Sequence, residues 1–113
     1  MNVLRVKDGV QFGVIAPGGF AILAALRMAA QTVGHDLTIT SGTDGEHSGP
    51  DDPHHRGEAY DIRTHDLPDA TQALEAIQAA MPDYENRFYA FLEDPSTDNE
   101  HIHCQIKKGT TYP

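Results

Sequence analysis

Two short segments far apart in the chain carry the residues best suited to chemistry: His54-His55-Arg56-Gly57-Glu58-Ala59-Tyr60-Asp61 and Glu100-His101-Ile102-His103. Together they supply imidazoles and a carboxylate suited to hold one zinc ion. Zinc accepts histidine nitrogen and carboxylate oxygen, and in catalytic sites it keeps a fourth position for water. Such a cation brings the proton of its water within reach near neutral pH and polarises a carbonyl under attack. A neighbouring carboxylate, Glu100, stands where the proton acceptor would be wanted. Seven histidines, at 35, 47, 54, 55, 65, 101 and 103, are many for 113 residues. A single histidine is ordinarily solvated or simply hydrogen-bonded, so the weight falls on the joint spacing.

These segments need elements to bring them together. In residues 58–63, Ala59, Asp61 and Arg63 alternate with Tyr60 and Ile62, which presents Asp61 from one face of a strand. Residues 101–106 read as a last strand, with His101, His103 and Gln105 towards a cleft and Ile102, Cys104 and Ile106 towards a core. Leu37-Thr38-Ile39-Thr40 and residues 87–93 are further strands. Residues 3–15, broken by Asp8-Gly9, predict a hairpin or an extended arm.

Pro17-Gly18-Gly19 introduces a helix over 20–33, whose Phe20, Leu23, Leu26 and Ala30 fall at helical spacing and whose end is set by Gly34. A second helix is capped by Asp66, has Pro68 in its first turn, carries Ala70, Leu74, Ile77 and Met81 as its apolar stripe, and stops at Pro82. From Ser41 to Pro53 the composition turns to Gly, Asp, His, Ser and Pro, with Asp44, His47, Asp51 and Asp52 reading as a solvated loop whose spacing does not fit an EF-hand. The order of elements predicts one α+β domain over 1–113, a mostly antiparallel sheet covered by two main helices.

Composition bounds the partners. A 113-residue chain with 39% hydrophobic and 22% charged residues suits one modest core. A net charge of −9 would repel a phosphate backbone, so nucleic acid is not an expected partner. The longest apolar run, residues 20–26, is too short for a bilayer, and the first residues lack the basic-then-apolar order of a secretory signal. The lone Cys104 reads as a buried, inert thiol.

His54-x-x-Gly57-x-Ala59-x-Asp61, followed by Glu100-x-x-His103, resembles the signature of the zinc D-Ala-D-Ala carboxypeptidase family, which includes vancomycin-resistance dipeptidases and phage L-alanyl-D-glutamate endolysins. The likeness runs from about Leu37 to Ile106, with Thr40-Ser41-Gly42 matching the strand end before the first ligand. It implies a small hedgehog/DD-peptidase-like fold, one zinc per chain on His54, Asp61 and His103, and Glu100 as general base. The substrate it implies is the peptide of bacterial peptidoglycan. By the same resemblance His101 lies near the reacting carbonyl.

The chain departs from the pattern at two places. Asp52 replaces a common Ser, and Thr43-Asp44 replaces an Arg that would hold substrate or oxyanion, a role left vacant or taken by Arg56, Arg63 or His101. Small size without an export signal suits a phage lysis or tail-associated enzyme made in the cytoplasm and acting at the cell wall, and equally a bacterial one.

Some assignments stay open at the level of residues. Glu100, three residues from His103, faces away on a regular strand unless the chain bends or the strand begins after it, and Glu93 is the substitute if neither happens. His55 can displace His54, although the spacing to Gly57 and Asp61 favours His54. Two other readings of the site are a metal-binding module without catalysis and a non-haem iron oxygenase, the latter opposed by the seven-residue separation of His54 and Asp61.

Overall fold

The computed structural model describes residues 2–45 and 51–110, so His47 lies outside the described residues. Seven elements follow one another: β1 Leu4–Val6, α1 Pro17–Val33, β2 Leu37–Ser41, β3 Ala59–Arg63, α2 Ala70–Ala80, β4 Phe88–Glu93 and β5 His101–Ile106. They form one five-stranded sheet in the order β1-β2-β3-β5-β4, antiparallel except for the parallel pair β1 and β2. The class is α+β. Among the described residues no helix is long and apolar enough to cross a membrane.

The pleat divides the sheet into two unlike faces. On one, Tyr60 sits opposite Cys104 and Ile62 opposite Ile102, with Ala90 and Leu92 beyond them on β4. Both helices cover this face, and their apolar sides complete a single core with Leu37, Ile39, Phe88 and Ile106. On the other, Asp61 is opposite His103 and Arg63 opposite His101, with Phe91 and Glu93 next in line on β4.

Helix α1 begins at Pro17, whose fixed φ suits a first helical position. It ends where Gly34 turns left-handed (φ 71°) and donates its N–H to the Ala30 carbonyl. The expected Phe20 stripe is corrected. Phe20 is 60% exposed, and the buried side runs through Ile22, Ala25, Leu26, Ala29 and Ala30. Both stripes satisfy a period of 3.6 and share Leu26 and Ala30; the alanine-rich one lets the helix approach the sheet closely.

Helix α2 is capped by Asp69, which accepts from Gln72 N–H at 3.0 Å, rather than by Asp66. Proline disfavours helical backbone in the residue before it, so Pro68 keeps Leu67 out of the helix and moves the start along. Ala73 and Ile77 are its buried positions, with Met81 buried just beyond, whereas Ala70 and Leu74 are only half-buried.

The first residues form an edge strand and an arm rather than a hairpin. After the turn at Gly9 (φ 90°), the chain crosses the ends of β2 and β3 instead of folding back. Thr43 N–H donates to Gln11 O (2.8 Å), Gln11 N–H to Asp44 Oδ1 (3.0 Å), Gly13 N–H to Thr43 Oγ1 (2.9 Å) and Ala16 N–H to Gly57 O (3.2 Å). Gly57 is required where this arm meets the segment before β3. Its φ is 71°, and a Cβ there would lie 2.2 Å from Val14 O.

Candidate metal centre

Asp61 lies on β3, the middle strand of the sheet, and its register opposite His103 on β5 brings the two side chains together across forty-two residues of chain, Asp61 Oδ1 standing 3.0 Å from His103 Nδ1. His54 arrives from the turn ahead of β3. Asp52 Oδ1 accepts from His54 N–H at 2.9 Å, the Asp52 carbonyl accepts from His55 and Arg56 N–H, and His54 O accepts from Gly57 N–H. That local winding directs His54 Nε2 to 3.2 Å from the same Asp61 Oδ1.

In each imidazole the nitrogen far from Asp61 faces an oxygen that can only accept. His54 Nδ1 is 3.2 Å from Gly42 O, and His103 Nε2 is 2.7 Å from Gln105 Oε1. Gln105 Nε2 donates in turn to Ile106 O, which fixes the amide with its oxygen towards the ring. Because those far nitrogens can donate, His54 Nε2 and His103 Nδ1 can offer lone pairs to a cation beside Asp61, or hydrogen-bond to Asp61 when the rings are protonated.

The spacing suits a metal ion. Two ligand atoms on a tetrahedral zinc, each about 2.0–2.1 Å from it, lie about 3.3 Å apart, and here the carboxylate oxygen is 3.2 and 3.0 Å from the two nitrogens. His54 is buried, while the side chains of Asp61 and His103 keep 15% and 12% of their surface, which leaves a way in for an ion and for water. His54, Asp61 and His103 are thus positioned to hold a metal ion.

Electrostatics agree. Burial opposes ionisation of Asp61, but hydrogen bonds from His103 and His54 and the charges of His54 and His101 overcome it and hold the carboxyl far below its ordinary range. For His103 burial opposes the charged ring, yet the hydrogen bonds with Asp61 and Gln105 and the charges of Asp61 and Glu93 raise its pKa. The site favours positive charge, whether carried by a proton or by a cation.

His101 borders the cluster. Its Nδ1 faces Asn99 O at 2.7 Å, and its Nε2 is 2.9 Å from Glu93 Oε1 and 3.8 Å from Asp61 Oδ1. Burial disfavours its charge, but the Asn99 carbonyl, Asp61 and Glu93 together raise its pKa. Glu93 Oε1 also lies 4.0 Å from His103 Nδ1.

Glu100 is in neither group of converging ligands, although it lines the same cavity as Asp61 and His101. One carboxylate oxygen accepts from the Thr64 hydroxyl at 2.6 Å and the other from Ser96 N–H at 2.9 Å, and these bonds hold its pKa below the usual range. Its position does follow from the strand beginning at His101: Glu100 is outside the pleat and belongs to the preceding loop. His55 is in neither group of converging ligands.

A cavity of about 340 Å³ adjoins the centre, lined by Lys7, Ser41, Asp61, Arg63 and His101 among others. Of the candidate cations, Arg63 lines it, whereas Arg56 pairs with Glu58 at 3.0 Å. On the opposite side Tyr89 and Phe91 stack at 5.8 Å between ring centroids, and Phe91 lies 5.4 Å from the His103 ring.

Sequence reasoning gave no role to Gln105, Tyr89 or Phe91. Alternation places Gln105 on the face of His101 and His103, and the same alternation in 87–93 puts Tyr89, Phe91 and Glu93 together; only the strand register puts them beside the ligands. No family model matches the chain, and neither a curated protein nor a solved structure matches it.

Proposed function

We propose that this chain is a zinc metallopeptidase that hydrolyses peptide bonds in the stem peptides of bacterial peptidoglycan, of the D-Ala-D-Ala carboxypeptidase or L-alanyl-D-glutamate endopeptidase kind, with the small fold of that family. The observation that carries the reading is the convergence of His54 Nε2 and His103 Nδ1 on Asp61 Oδ1, each ring locked from behind by a carbonyl. Zinc held by these residues would leave a position for water, bring that water's pKa towards neutrality and polarise a bound carbonyl.

The chain's own groups account for the rest. Glu93 Oε1, beside His103 and His101, is the base that takes the proton of the attacking water and returns it to the leaving amine. His101, when protonated on both nitrogens, directs Nε2–H past Glu93 towards the cluster and stabilises negative charge growing on the carbonyl oxygen. Arg63, in the cavity next to Asp61, holds the substrate backbone, while Tyr89 and Phe91 form an apolar wall. Glu100 braces the loop through Thr64 and Ser96.

Both departures from the family pattern have a local explanation. Asp52 accepts from His54 N–H, a role a serine hydroxyl also fills, and Thr43 and Asp44 fasten the N-terminal arm.

The test is mass spectrometry of purified muropeptides incubated with the zinc-loaded protein. Cleavage should appear, disappear on chelation, and fall roughly 10²–10⁴-fold in Glu93→Gln with zinc retained. Glu100→Gln should keep most of the rate. Stoichiometric zinc with no product would reduce the chain to a metal-binding module, and activity supported by iron alone would replace the reading altogether.

A further inference from the structure

Asp61 serves a second constellation as well as the first. Its carboxylate, Glu93 and His101 form another group whose ligand atoms converge, without His54 or His103. His101 Nε2 stands 2.9 Å from Glu93 Oε1 and 3.8 Å from Asp61 Oδ1, distances that bracket the edge of about 3.3 Å expected between ligands of one tetrahedral cation.

Asn99 supplies the complementary part. Its carbonyl faces His101 Nδ1 at 2.7 Å, so that nitrogen carries the proton and Nε2 can offer its lone pair towards the two carboxylates. The same device, a carbonyl behind each ring, orients His54 and His103. Three imidazoles from two segments are therefore all set with one nitrogen directed towards Asp61, while only two of them belong to the first centre.

We infer that a second divalent cation of the zinc, cobalt or manganese class binds between Asp61, Glu93 and His101, bridged to the first centre by Asp61. One imidazole and two carboxylates suit these metals, and pairs of catalytic cations about 3.5–4 Å apart are an established arrangement. This site is the weaker of the two. It has one imidazole instead of two, Glu93 keeps 42% of its side-chain surface in solvent, and an ion already held at the first centre repels a second. A consequence that rests on the peptidase reading is inhibition by excess metal, because a Glu93 carboxylate engaged in coordination no longer accepts the proton of the attacking water.

The experiment is calorimetric titration of the metal-free full chain with zinc alone. Two binding steps are expected, the second at least tenfold weaker. Glu93→Gln and His101→Gln should each abolish the second and leave the first, His54→Ala should abolish the first, and Asp61→Asn should remove both. A single equivalent in the unaltered protein overturns the inference, as does a second equivalent that persists in Glu93→Gln and His101→Gln alike. Binding is read directly, so absent hydrolysis would count against the peptidase and leave the second site standing. Hydrolysis that excess zinc fails to slow, despite two bound equivalents, would remove the inhibitory role.

Discussion

Tyr60 and Asp61 are neighbours in sequence and occupy opposite faces of one sheet. The Tyr60 face is closed: Tyr60, Ile62, Ile102 and Cys104 are fully buried beneath the helices. Each large apolar side chain there contributes roughly 1.5–3 kcal/mol by leaving water. Among the described residues the Asp61 face carries no helix, and its imidazoles and carboxylates stay in partial contact with solvent. It crowds groups positioned to hold a cation. The period of two along β3 and β5 thus separates the core from the candidate metal centre, residue by residue. Alterations on the two faces should therefore have separable effects.

The sharpest break is expected from His103→Ala. Stoichiometric zinc binding should vanish by calorimetry, while thermal unfolding in chelator shifts by no more than about 1 kcal/mol, the range of substitutions outside the core. Ile62→Ala, one residue from the proposed ligand Asp61, should do the reverse, costing about 2–5 kcal/mol in denaturant melts with zinc affinity preserved in the fraction that folds. Gln105→Leu keeps the bulk but removes the acceptor behind His103, and zinc should bind about 10–100-fold more weakly.

The smallest effect belongs to Tyr60→Phe. The Tyr60 hydroxyl is buried without a hydrogen-bond partner among the described residues, and burial pushes its pKa up to about 12. Deleting it should change stability by less than about 1 kcal/mol, or raise it. A loss well beyond that in urea melts would mean that the closed face depends on polar contacts after all.

Much of this division could be read before any coordinates. Alternation in 58–63 and 101–106 assigned Asp61, His101 and His103 to one face and their neighbours to the other, because a half-buried sheet imposes that pattern directly on sequence. Gly34 announced the end of α1 because a left-handed residue favours glycine. What could not be read were choices between equivalent local patterns. Phe20 and Ile22 both head helical stripes, and only the docked sheet decides between them. Asp66 and Asp69 both offer a cap, and the backbone restriction imposed by Pro68 decides.

The carboxylate nearest the ligands posed the same problem across a longer distance. Glu100 is close to His103 along the chain, but Glu93 is close in space, since β4 pairs with β5 and sets Glu93 opposite His101. Strand register is a property of two segments, and no spacing within either one reveals it. The parallel pairing of β1 with β2 was hidden for the same reason.

The crowded meeting of Val14, Gly19 and Gly57 has a consequence for how the molecule can be divided. A methyl group on Gly19 would come within 2.1 Å of Gly57 O, and one on Gly57 within 2.2 Å of Val14 O, so these backbones pass each other with no slack. The geometry of the His54-to-Asp61 segment is therefore clamped from outside by the opening stretch of the polypeptide. A fragment beginning after residue 16 would retain every proposed ligand and lose the brace that keeps two of them in register.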